Sequence, residues 1–130
     1  MVKISLNNFQ VMWCLAGTIR NVKETESQIV TSICDYLAAK RHFYWRQNTA
    51  PTINKTVEGW SFRRMPKQAL KGVPDIILIK MESGRFVGLE AKTSTGRLSA
   101  DQEEFRCRAE ACGAEYHVVR SIDDVQKLGL

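Results

Sequence analysis

The stretch Lys71-Gly72-Val73-Pro74-Asp75-Ile76-Ile77-Leu78-Ile79, followed past a polar turn by Gly88-Leu89-Glu90-Ala91-Lys92, decides the fold. Ile76 to Ile79 is continuously apolar, the signature of a strand covered on both faces. Glu82-Ser83-Gly84 makes a turn, and Phe86 to Lys92 reads as the partner strand. Side chains two apart on a strand share a face. Glu90 and Lys92 therefore point the same way, and Asp75 stands at the mouth of the neighbouring strand. The three charges are expected to meet. On a central strand such charges are costly unless paired or metal-bound. Two carboxylates and an ammonium at one point suit a divalent cation, its water and a phosphate. Taken singly, each has a plainer account. Asp75 after Pro74 is a turn-forming residue, and Glu90 with Lys92 is a solvated stripe on an edge strand.

Upstream, Thr25-Glu26-Ser27-Gln28 is a capping box. Ile29, Val30, Ile33, Cys34 and Leu37 then repeat at helical spacing to about Lys40. Phe43 to Gln47 alternates and is aromatic-rich, so a strand is expected. Residues 48–58, with Asn48, Pro51 and Asn54, read as a loop. Gly59 to Met65 alternates again, and Pro66 to Gly72 reads as a basic loop.

Downstream, Thr93 to Leu98 is a polar loop. Ser99-Ala100-Asp101-Gln102 is a second capping box, opening a helix that Gly113 ends. Tyr116 to Val119 is a last strand, and Ser121 caps a short terminal helix. This order predicts an α/β sandwich around a central mixed sheet. Residues 1–23 stand apart as an arm in which Ile4, Leu6, Phe9, Val11 and Trp13 hint at a strand or a docking element. Residues 24–130 form the domain.

At 130 residues the chain makes one domain with a sizeable core. Its formal charge of +5 favours anionic partners, nucleic acid first among them. The cysteines Cys14, Cys34, Cys107 and Cys112 form no CxxC pair, which argues against a zinc site of the usual spacing. Cys34 reads as a buried free thiol, and a reducing, cytoplasmic setting is expected. No apolar run is long enough for a membrane span, and the short run Val11 to Gly17 does not read as a signal peptide.

Pro74-Asp75 with Glu90-Ala91-Lys92 resembles the PD-(D/E)xK nuclease signature. Three wider stretches narrow the resemblance to the VRR-Nuc family, the virus-type replication-repair nucleases. They are Lys71 to Ile76, Gly88 to Gln102 through Thr95-Gly96-Arg97-Leu98-Ser99, and Arg120-Ser121-Ile122-Asp123-Asp124-Val125. The resemblance runs from about Glu24 to Leu130. It implies a restriction-endonuclease-like core and a Mg²⁺- or Mn²⁺-dependent endonuclease leaving 5′-phosphate and 3′-hydroxyl ends. Stand-alone members of this size are expected to act as homodimers on branched DNA such as four-way (Holliday) junctions, in replication, recombination or repair.

In this reading Asp75 and Glu90 are metal ligands, with the Ala91 backbone carbonyl a third. Lys92 orients or helps deprotonate the attacking water, or neutralises charge on the phosphate. The family also implies an acid on the first helix. Helical spacing relates Glu26 to Val30, Ile33 and Leu37, so Glu26 is expected on the buried face and Glu24 toward water. Glu26 would act on the metal through water; alternatively it is an N1 acid favoured by the helix dipole. Gln102 is likewise expected near the active site, although N3 of a capping box already gives it a structural task. Arg63, Arg64, Lys67, Lys71, Thr93, Ser94 and Arg97 are candidate phosphate contacts; the bland alternative is a solvated basic surface. Competing functions are a catalytically silent DNA-binding module of the same fold, a nickase on unbranched duplex, and a nuclease acting on RNA.

Overall fold

The computed structural model describes residues 23–47, 52–56, 58–63 and 69–130. Helix α1 spans Glu26–Ala39 and follows the first capping box: the Thr25 hydroxyl accepts the Gln28 N–H, and the Gln28 side chain accepts the Thr25 N–H. Strands β1 (Phe43–Arg46), β2 (Thr52–Thr56), β3 (Gly59–Arg63), β4 (Ile76–Ile79) and β5 (Phe86–Ala91) follow. Helix α2 (Ala100–Ala111), strand β6 (Glu115–Val119) and helix α3 (Ile122–Lys127) complete the chain. Gly113, at φ 84°, occupies the left-handed position past α2.

The main sheet has the order β1-β4-β5-β6, with β5 and β6 parallel and the other pairs antiparallel. Strands β4 and β5 are therefore interior, as the apolar run Ile76 to Ile79 requires. One face carries Ile76, Leu78, Val87, Leu89, Ala91 and Val119, all buried. It packs against Ile29, Val30, Ile33 and Leu37 of α1 and Val125 of α3. The other face carries Ile77, Glu90 and Tyr116, also buried. Phe105 of α2 lies over this face, its ring 6.1 Å from that of Tyr116. The mixed α/β sandwich expected from the sequence is observed.

Three expectations need correction. Residues 48–58 are not simply a loop, because Thr52–Thr56 forms β2. It pairs antiparallel with β3 in a separate two-stranded sheet, Thr56 opposite Gly59. The β-branched Thr52, Ile53 and Thr56 favour a strand, and the scattered asparagines hid them. Glu26 is not buried; its side chain is 48% exposed. Cys34 is a free thiol but only half-buried; burial raises its pKa. The apolar arm of residues 1–22 lies outside the described residues, as do Arg64 and Lys67. Among the described residues no helix is long and apolar enough to cross a membrane.

Candidate active site

The site forms where β4 begins and β5 ends. Ile76 pairs with Leu89, so one step further Asp75 and Glu90 stand opposite each other. The register places them on one face. Gly88 makes this approach possible, since a Cβ there would meet the Pro74 ring at 2.7 Å. Asp75 is half-buried, and its Oδ2 accepts the Ala91 N–H at 3.0 Å. This bond ties the first carboxylate to the strand that carries the second.

Glu90 is 2% exposed, and a buried carboxylate needs donors. Three face it. Lys92 Nζ donates to Oε1 at 2.7 Å, Gln102 Nε2 donates to the same oxygen at 2.5 Å, and the Tyr116 hydroxyl lies 3.5 Å from Oε2. Gln102 makes two contacts. Its Oε1 accepts the Ser99 N–H at 2.8 Å and closes the capping box, while its amide nitrogen holds Glu90.

Lys92, 8% exposed, is placed by the continuing β5 backbone, its N–H donating to the Val119 carbonyl. Its ammonium lies 3.9 Å from Glu26 Oε1. Glu26 thus faces the site from the start of α1 while remaining half in water. Gly96 permits this contact. A Cβ there would sit 3.2 Å from Lys92 Cβ and 3.3 Å from Glu26 Oε1. The Arg120 guanidinium donates to the Gly96 carbonyl at 3.0 Å and holds that loop in place.

The electrostatics are those of crowded acids. Burial raises the pKa of Asp75, and the charge of Glu26 adds to the rise against the Ala91 N–H and Lys92. Burial also raises the pKa of Glu90, and Asp75 reinforces it, against the hydrogen bond from Lys92. Burial alone would lower the pKa of Lys92, but its hydrogen bond to Glu90 and the surrounding carboxylates outweigh that and raise it. Burial likewise pushes the Tyr116 hydroxyl up, helped by the charges of Glu90 and Asp75.

Three carboxylates against one ammonium leave the cluster two negative charges in excess. The donors are hard oxygens, and a divalent cation would relieve the repulsion between Asp75 and Glu90. The set therefore fits a metal of the Mg²⁺ or Mn²⁺ type. Among the described residues, however, no three His, Cys, Asp or Glu side chains are grouped closely enough to hold an ion by themselves. Backbone oxygen and water would have to supply the remaining ligands.

A model of the VRR-NUC domain matches residues 45–123. The chain belongs to the VRR-NUC family. The matched span holds Asp75, Glu90, Ala91, Lys92 and Gln102, and Glu26 precedes it. The VRR-NUC chain accordingly has a PD-(D/E)xK-type α/β core and a nuclease-type function directed at DNA. No curated protein matches the sequence.

The other sequence candidates are more dispersed. Lys71 is exposed beside the start of α2, Thr93 is half-buried, and Ser94 and Arg97 are exposed in the loop beyond Lys92. Arg63 ends β3, a strand of the separate hairpin. Two residues escaped the sequence reading. Tyr116 reaches Glu90 because β6 pairs parallel with β5, Tyr116 beside Gly88; strand periodicity alone does not reveal that neighbour. Arg120 was visible only as part of the family stretch, with nothing to suggest that it anchors Gly96.

Proposed function

We propose that this protein is a divalent-metal-dependent DNA endonuclease acting on branched DNA, four-way junctions above all. The observation that supports this best is the pairing of Asp75 with buried Glu90 across β4 and β5, with the Lys92 ammonium bonded to Glu90, inside a VRR-NUC domain. Asp75, Glu90 and the Ala91 carbonyl would hold Mg²⁺ or Mn²⁺, and Glu26 would act through water. Such an ion, when bound, activates water and offsets charge on the phosphate. The chain's own residues do the rest. Lys92, an ammonium between Glu90 and Glu26, donates hydrogen bonds toward the attacking water or the phosphate. Gln102 and Tyr116 fix the rotamer of Glu90. Lys71, Thr93, Ser94 and Arg97 would hold phosphates near the scissile bond, with Arg63, Arg64 and Lys67 ahead of Asp75 extending that contact. A homodimer assembled through residues 1–23 would offer two sites to paired strands of a junction.

The test is a cleavage panel of four-way junction, flap, plain duplex and single strand, each with Mg²⁺ and with Mn²⁺. The junction is expected to be cut fastest. Lys92→Ala should lower cleavage about 100-fold or more while leaving DNA affinity largely intact. Unchanged cleavage by that variant in Mn²⁺ would refute the assignment. Calorimetry with Asp75→Asn separates the silent DNA-binding module: only a nuclease site loses metal affinity on that change.

A further inference from the structure

Strand β1 lies within Lys40-Arg41-His42-Phe43-Tyr44-Trp45-Arg46-Gln47, three aromatics enclosed by cations. Tyr44 turns toward the core. Phe43 and Trp45 alternate to the other face, opposite Ile79 and Ile77 of β4. That is the face of Asp75 and Glu90. The two rings stay 65% and 40% exposed, with centroids 6.2 Å apart. Large aromatics left open on an edge strand invite aggregation, so their exposure calls for a role.

The strand leads to the site. Trp45 Nε1 donates to Gln47 Oε1 at 3.3 Å, and the Gln47 N–H donates to the Asp75 carbonyl at 2.7 Å. Phe43, Trp45 and Gln47 therefore form a lane along one sheet face that ends beside Asp75. The exposed Arg41 precedes the lane, while Arg46 alternates with Tyr44 to the opposite face, although its charge is still felt at Asp75.

We infer that Phe43 and Trp45 are a stacking platform for unpaired nucleotides next to the scissile phosphate. Residues two apart on a strand are separated by about 6.6 Å, roughly twice the rise of stacked bases. The pair thus matches two or three successive bases, with a phosphate within reach of the exposed Arg41 at the start of the strand. Paired bases inside a duplex offer no free faces, so this lane selects single-stranded nucleic acid. Lys40 and Arg41 put like charge at the start of this strand in every copy, which opposes covering it with a second copy. The inference rests on the nuclease reading for its substrate, and it adds a determinant that favours substrates with unpaired nucleotides beside the scissile phosphate.

Fluorescence anisotropy in EDTA tests it, using labelled oligothymidylate and a hairpin duplex of equal length. Phe43→Ala/Trp45→Ala should weaken oligothymidylate binding about tenfold or more and leave duplex binding unchanged. Phe43→Tyr/Trp45→Phe should retain both, and far-UV circular dichroism confirms that each variant folds. Equal losses on the two probes, or no loss on oligothymidylate, overturn the platform. A shift from dimer to monomer in the alanine pair, seen by light scattering, also overturns it and assigns the face to a second copy. These outcomes are separable from the nuclease reading. A wild type that cuts no DNA sinks that reading while the binding comparison stands. Unchanged oligothymidylate binding sinks the platform while cleavage stands.

Discussion

At the scale of single residues, Gln102 is the most economical part of the site. One end of its amide closes a helix and the other holds a buried carboxylate. Substitutions can separate the two tasks. Gln102→Ala should cost about 1 kcal/mol of stability through the lost cap, and should lower cleavage as well. Gln102→Glu keeps an oxygen for the Ser99 N–H but turns a carboxylate toward Glu90, so the cap survives and cleavage stays low. Urea denaturation and cleavage rates, measured on both variants, check this. Both tasks were legible in the sequence, because the capping box is local and the family stretch points to the site. Glu26 was less so. Helical spacing put it on the buried face, yet at the first helical position its carboxylate stays 48% exposed and only approaches Lys92, at 3.9 Å.

At the scale of elements, the mutual placement of α2 and β4 depends on Gly72. It has φ 71°, and a Cβ there would run into the backbone of Asp101 and Gln102. Gly72→Ala should therefore cost roughly 2 kcal/mol from the backbone conformation alone. It should also slow cleavage by moving Gln102 away from Glu90. A matched pair of denaturation and cleavage measurements decides it; full stability with full activity would show that α2 tolerates the shift. The elements themselves were largely readable. Both capping boxes start helices where expected, and the apolar run at Ile76 is interior. Strand β2 was hidden because its pattern is polar and its stabilisation comes from its hairpin partner. Tyr116 was hidden for a related reason, since which strands pair is not written in the period of either one.

At the scale of the whole molecule, acid stability separates the ion pairs of Glu115 from the crowded carboxylates Asp75 and Glu90. Glu115 binds Lys80 at 2.8 Å and also meets Arg85 and His117. The hydrogen bond from Lys80 leads in holding its carboxyl down, from an ordinary 4.5 to about 2. A depressed carboxyl stabilises the fold above its unfolded pKa, and that stability is lost as pH falls from 4.5 toward about 2. Asp75 and Glu90 run the opposite way. Their raised pKa values make the fold bind their protons more tightly, so acid relieves a cost there. Glu115→Gln should lower stability at neutral pH by about 1 kcal/mol, the scale of partly exposed ion pairs. It should flatten the acid limb of the stability profile, as read from urea midpoints across pH; a parallel downward shift at all pH values would contradict this. The parallel pairing of β5 with β6 has a further consequence. Tyr116 is the last of the three groups facing Glu90 to be made, and Arg120, which bonds the Gly96 carbonyl, follows it. During synthesis, a ribosome-bound chain ending before these residues carries every acid of the cluster but not its finished pocket. The pocket around Glu90 is thus incomplete until β6 has emerged.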